Sequence, residues 1–254
     1  MNAIANIVAG VMSAMPRVTG VMERRILVNC RVRLEVLQGI LPAPFRPKFV
    51  RGWGMAGICM IRLRGIRPIG LPEWCGIGSE NAAHRIAVEW DESDGAHEGV
   101  FIPRRDTNSR ANLLLGGRVF PGVHHRAKFD VWESPNRFRV GFTSDDQSNW
   151  VKFVGRITDE WPAGSVFASL DEASAFFERG GCGWSPNSCG DAVEGMRLNC
   201  ADWRMEPLLA ERVESSFFQD RERFPVGSVE FDSALLIRNV AHEWESLGRM
   251  QYEK

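Results

Sequence analysis

Short runs of alternating apolar residues, each bounded by Gly, Pro, Asn or Ser, recur along almost the whole chain. This pattern limits the fold more than any other feature of the sequence. Residues 84–90 (HRIAVEW) alternate, as do residues 99–102 and 127–132. Ser134-Pro135-Asn136 is a turn signal between two such runs and predicts a hairpin. Beyond it, Phe138, Val140 and Phe142 share one face of a strand, while Arg137, Arg139 and Thr143 share the other. Residues 26–28, 53–64, 150–157, 193–198, 205–213 and 229–237 supply further strands. Helices are few. Leu34, Leu37 and Leu41 recur at helical spacing and stop at Pro42. Ser169-Leu170-Asp171-Glu172 has the form of a capping box, followed by the apolar stripe Ala173, Phe176, Phe177 and the stop Gly180-Gly181. A short helical break is expected near Phe217-Phe218. Many short strands with turn signals and few helices predict a mostly β (α+β) chain, folded as an antiparallel barrel or sandwich.

Composition narrows the class. The chain has 254 residues, 44 % hydrophobic and 25 % charged, which suits a folded domain and excludes a disordered chain, a collagen-like repeat or a coiled coil. With 31 basic and 32 acidic residues the net charge is -1, so no general nucleic-acid binder is expected. No apolar stretch approaches the roughly 18 residues of a spanning helix, so no membrane partner is expected. Residues 1–22 lack the basic leader of a secretory signal and read as a flexible N-terminal extension. With no internal linker or repeat, residues 23–254 form a single domain. The cysteines, at 30, 59, 75, 182, 189 and 200, show no Cys-x-x-Cys spacing and read as free thiols in a reducing cytoplasm. No Walker loop, Gly-x-Gly-x-x-Gly fingerprint, His-Glu-x-x-His or Gly-x-Ser-x-Gly elbow occurs, so neither a metal nor a cofactor is expected.

Three stretches could carry chemistry. Residues 120–128 place His124, His125, Arg126 and Lys128 in one short run beside a turn. If the run is extended, one histidine faces inward and the other outward, and a buried imidazole could act as acid or base. The alternative is a solvated surface turn. Arg62 and Arg64 alternate with Ile61 and Leu63, so both point to one side of a strand. Facing a lumen they would clamp a carboxylate; facing solvent they are ordinary surface charges, and Arg104, Arg105 and Arg110 in the loop expected after Ile102 pose the same choice. Glu80 stands just ahead of His84 and Arg85 at the mouth of a strand, either a site or a common loop composition.

The order of several motifs resembles the acetoacetate decarboxylase-like superfamily. They are Leu34-Glu35-Val36-Leu37 with Leu41-Pro42, then Gly99-Val100-Phe101-Ile102-Pro103, then Gly117-Arg118-Val119-Phe120-Pro121-Gly122. Residues 64–72, 169–177 and 231–236 are similar in style to a bacterial family called domain of unknown function 2071, and the likeness runs over residues 25–244. The resemblance implies a closed antiparallel β-barrel with an inner cavity. It also implies a lysine pair after a turn, the first lysine forming a Schiff base with a β-keto acid. Here the comparable turn is Gly122-Val123-His124, and the pair falls on His125 and Arg126, neither of which can form one. Lys128 lies three positions beyond His125, on the opposite face of a regular strand. Glu80 is the nearest match to the family's acidic residue.

The resulting expectation is a cytoplasmic container that binds or transforms a small organic acid or carbonyl compound without the usual lysine. His125, Arg126 and Glu80 are the catalytic candidates; His124, Arg118, Arg62, Arg64 and His84 are the ligand-binding ones. The alternative is a binding protein that performs no chemistry. A homo-oligomer is the further partner considered.

Overall fold

The computed structural model describes residues 17–114 and 121–251. Its strands are β1 (Val18–Val32), β2 (Arg46–Pro47), β3 (Phe49–Val50), β4 (Trp53–Pro68), β5 (Ile77–Glu92), β6 (Gly95–Thr107), β7 (His124–Glu133), β8 (Arg137–Ser144), β9 (Trp150–Ile157), β10 (Cys182–Pro186), β11 (Ala192–Cys200), β12 (Glu206–Ser215) and β13 (Val229–Gln251). Between them lie α1 (Leu34–Ile40), α2 (Arg110–Leu114), α3 (Leu170–Arg179) and α4 (Ser216–Gln219). The chain is therefore mostly β with few helices. Among the described residues no helix is long and apolar enough to cross a membrane.

The strands form one 13-stranded sheet, and the path of pairing returns on itself through β5 and β6. Two rings share a wall made of β13, β1, β4, β5 and β6. The larger ring is completed by β7, β8, β9 and β12, the smaller by β10 and β11, because β11 pairs with β13 and β10 with β6. Pairing is antiparallel except for β6–β7 and β10–β6, which are short and parallel, a departure from the all-antiparallel expectation. The close approach of β10 to β6 depends on Gly99, where a Cβ would stand 2.4 Å from the Cys182 carbonyl oxygen.

The shared wall explains why some strands read as unbroken apolar runs. A strand covered on both faces needs apolar residues at consecutive positions. Ile26, Val28, Ile58, Met60, Ala234 and Leu236 pack into the larger ring. Leu27, Met55, Leu63, Leu235 and Ile237 pack the other way, against Ala173, Phe176 and Phe177 of α3. The α3 cap forms as expected: Ser169 Oγ accepts from the Glu172 amide at 3.2 Å. Glu172 reaches one residue further back than a capping box requires and accepts from the Ala168 amide at 2.6 Å. The beginning of the chain needs one correction. β1 starts at Val18, and Val18 and Met22 are buried by pairing with β13 and β4, so residues 18–22 belong to the domain rather than to an extension.

Leu235 and Leu236 are adjacent and both fully buried. Either one replaced by alanine is expected to cost about 2–5 kcal/mol in urea unfolding. Trp132→Ala, on a strand with one face in solvent, should cost far less. If only one of the two leucines proves sensitive, the wall is not covered on both sides.

Candidate functional site

Because successive side chains on a strand point to opposite faces, neighbours along the middle of the wall, and at the start of β7 beside it, are divided between the two rings. Arg24, Glu80, His84, Arg104 and His125 face the larger ring. Their neighbours Arg25, Asn81, Arg85, Arg105 and His124 face the smaller one. The sequence expectation that His124 and His125 separate therefore takes a specific form: each faces a compartment of its own.

In the larger ring the charges are matched. Arg24, 2 % exposed, donates to Glu80 at 2.5 Å and also to Glu133. Arg62 donates to Glu80 at 2.6 Å and to Glu133 at 3.2 Å. Two guanidinium groups and two carboxylates thus close one network, buried at Arg24 and Glu80 and half-buried at Arg62 and Glu133. Arg104 donates to Asp106 at 3.0 Å, and Asp106 also accepts from Asn149 at 2.7 Å. Burial raises the Asp106 carboxyl, opposed by Arg104. His125 lies at an open mouth lined also by Arg104, Arg223 and Ser216, with Asp146 3.8 Å from its Nδ1. Burial, with Arg104 adding to it, pushes the His125 imidazole down. His84 is fully buried over Phe217, with ring centroids 4.3 Å apart.

In the smaller ring the charges are not matched. Arg25, Arg85 and Arg105 line one cavity, which holds roughly 900 Å³ of space with its mouth included. Each is held by a neutral group. Arg25 Nε donates to Cys59 Sγ at 3.4 Å, Arg85 Nη2 to Asn29 Oδ1, and Arg105 Nε to Ser185 Oγ at 2.9 Å. Among the described residues no carboxylate forms an ion pair with any of the three. Arg85 is 7 % exposed, and its Nε is buried without a hydrogen-bond partner, as is Nη1 of Arg25. Phe177 lies under the Arg85 guanidinium at 4.8 Å, and Trp203 under that of Arg25 at 5.5 Å. Burial pushes Arg85 and Arg105 down to about 10, so both still carry charge at neutral pH. Ile61, Leu63, Ile102, Met196 and Leu198 make much of the remaining lining apolar.

His124 enters this cavity from the start of β7. Gly122 has φ 83°, and a Cβ there would stand 2.5 Å from Ser185 Cβ, so glycine lets the turn lie against the residue that holds Arg105. Burial, and then the Arg105 charge, pushes His124 down to about 3. At neutral pH it is an uncharged imidazole beside cations. Such a site can seat an anion on guanidinium groups and offer a neutral donor or acceptor to a second polar atom.

The remaining candidates lie elsewhere. Arg64 is on the outside, paired with Glu23 at 2.5 Å, so it does not share a lumen with Arg62; the register shifts next to it, between Leu63 and Ile66. Arg126 is exposed and pairs with Asp145 at 3.3 Å. Arg118 lies outside the described residues. Of the residues singled out from the sequence, His124 and Arg105 are the described ones that line the cavity, Arg105 on β6 rather than in a loop. Its convergence with Arg25 and Arg85 was missed because the three come from three strands and no local motif joins them. Lys128 is exposed on β7, and no described lysine lines the cavity. All six cysteines are free. Glu92, Asp94 and His97, at the β5–β6 turn, have ligand atoms within 4.8 Å of one another, but Glu92 and Asp94 are exposed on a turn away from the cavity.

No family model matches the chain, and no curated protein matches it in sequence. Solved structures do match. Acetoacetate decarboxylase from Legionella pneumophila superposes with a TM-score of 0.58 at 10 % identity, over 94 % of this chain and 87 % of that one. An acetoacetate decarboxylase-like enzyme from Sphingomonas wittichii RW1 gives 0.56 at 14 % identity, over 95 % and 94 %. The enduracididine biosynthesis enzyme MppR complexed with pyruvate gives 0.55 at 9 % identity, over 93 % and 90 %. The chain has an acetoacetate decarboxylase-like fold.

The buried histidines should make the protein acid-labile. Burial, with Arg104 and Arg223, pushes His84 down to about 3, and burial pushes His242 down to about 4. Below the usual imidazole range the unfolded chain takes up protons that the native state refuses, so stability falls as pH drops from about 6.5 toward 3. Urea unfolding should show up to about 2–3 kcal/mol lost per such group by roughly pH 4.5. The slope should be shallower in His84→Leu. An unchanged slope in that variant would show that His84 is not held neutral.

Proposed function

We propose that this protein binds or transforms a small organic acid, or a carbonyl compound bearing an acid group, in the cavity of the smaller ring, without a Schiff-base lysine. One observation carries the proposal: three arginines with only neutral partners line one cavity. A buried charge without a counter-charge costs several kcal/mol, and a carboxylate ligand supplies the missing partner. The apolar lining suits a ligand with a small hydrocarbon body. The structural neighbour bound to pyruvate is in keeping with a ligand of this size and charge. The ring pairing is in keeping with a closed barrel around the larger compartment. The order of motifs favours the domain of unknown function 2071 family within the wider fold. Free thiols fit a reducing cytoplasm.

In this assignment the ligand site is Arg25, Arg85, Arg105 and His124. Arg85 and Arg105 hold the carboxylate, and the neutral His124 meets the polar atom beyond it. His125, Arg126 and Glu80 recede from the catalytic role first expected of them, because Glu80 is spent on Arg24 and Arg62, Arg126 is on the surface, and His125 opens into the other ring. Binding without chemistry is favoured by one feature: among the described residues the one carboxylate at the cavity, Asp106, turns its side chain to Arg104 and Asn149. Recovery of the ligand unchanged after prolonged incubation would decide for binding alone.

Calorimetric titration with a panel of small monocarboxylates and 2-oxo acids tests the site. Arg85→Met and Arg105→Met are each expected to weaken binding by about 10- to 100-fold, the scale of one charge-assisted hydrogen-bonding partner. The uncharged amide analogues should not bind. Equal affinity for acids and amides, or no effect of either substitution, would contradict the assignment.

A further inference from the structure

The wall of the cavity also presents a thiol. Cys59 lies on β4, and its register places it in one rung with Ala83 of β5, Arg105 of β6 and His124 of β7. These side chains share the face that lines the cavity. Ala83, between the cysteine and Arg105, is too small to cover the sulfur from that side. The sulfur accepts a hydrogen bond from Arg25 Nε at 3.4 Å. Other nucleophiles are scarce here, since no described lysine lines the cavity. A second observation points to a ligand at the same place. Arg85 is more than nine-tenths buried, lines the cavity and keeps its Nε without a partner, with no carboxylate to neutralise it.

We infer that Cys59 is the covalent capture site for small organic acids carrying an electrophilic carbon, chiefly 2-oxo acids. The inference rests on the anion-binding role of the same cavity. The guanidinium groups concentrate the anion and fix its carboxylate, and the sulfur beside Arg25 then adds to the carbonyl carbon. One carbon–sulfur bond forms, the π pair of the carbonyl moves to its oxygen, and the thiol proton ends on that oxygen. The product is a hemithioketal, with no oxidant and no leaving group required. Arg25 can donate to the oxygen as charge develops there. The selectivity comes from where the anion is held: a cavity of one sign raises the local concentration of the opposite charge by 10- to 1,000-fold.

The test uses iodoacetate against iodoacetamide, reagents of similar size that differ in charge. Each alkylates sulfur by displacing iodide. The full-length protein is treated with each at equal concentration, and the rate at every cysteine is read by peptide mass spectrometry. Cys59 is expected to react roughly tenfold or more faster with iodoacetate. Exposed Cys189 should show no such preference. Pyruvate in excess should slow labelling at Cys59 alone, and Arg105→Met should abolish the preference while leaving the protein folded by circular dichroism. Calorimetry with pyruvate on the wild type and Cys59→Ser separates the two levels of the account. If pyruvate binds but Cys59 stays unlabelled or prefers iodoacetamide, covalent capture is refuted and anion binding stands. If pyruvate does not bind and the charge preference is absent, both fall.

Discussion

A five-strand wall with interior on both sides governs this molecule. Along its middle such a wall has no solvent face for its polar residues, so the charges there are settled within one compartment or the other, while toward its ends Arg64 and Arg238 reach the outside. The alternation of the strand then acts as a sorting device. Arg24 and Arg25 are neighbours in sequence, yet one joins a network with Glu80 and Glu133 and the other reaches only a thiol and an indole. Arg104 and Arg105 are divided in the same way, the first onto Asp106 and the second onto a serine hydroxyl.

The contrast between the two sides is what supports the ligand role proposed for the smaller ring. Both hold buried arginine, and burial alone is expensive on either side. In the larger ring, carboxylates offset that cost and leave nothing for a ligand to gain by displacing them. In the smaller ring, neutral hydrogen bonds and the faces of Phe177 and Trp203 offset only part of it. The residual strain in solvation is the free energy a bound anion can recover. Arg85 and Arg105, lowered to about 10 by burial, remain cations through the physiological range, while His124, lowered to about 3, does not compete with them as an added charge.

Much of the architecture was legible in the sequence. Alternation in residues 127–132 and 138–142, with the turn at Ser134-Pro135-Asn136, marks β7 and β8 as a hairpin, and Ser169 with Glu172 marks the start of α3. Residues 229–237 read as a strand, whereas the cover on both faces of its apolar run 234–237 emerges only from the two rings. The site was legible only in part. The His124–His125 pair stood out as local chemistry, and alternation correctly separates the two. Of the arginines Arg105 drew notice, but its meeting with Arg25 and Arg85 did not, because the three are far apart in sequence and come together through the register of β1, β4, β5 and β6. Arg62 and Glu80 drew notice as site residues, but nothing local reveals that they satisfy each other across the β4–β5 rung. Cys59 was hidden for the same reason, since an apolar strand is also where an inert thiol is commonly found.

The most direct measurement is a crystal structure of the protein grown with 3-bromobenzoate, an acid that cannot alkylate, with the bromine located by its anomalous signal. The account predicts bromine in the smaller ring and a carboxylate within hydrogen-bond distance of Arg85 or Arg105. Bromine found only on the outer surface, or at the mouth beside His125 and Arg104 with the smaller ring unoccupied, would contradict it.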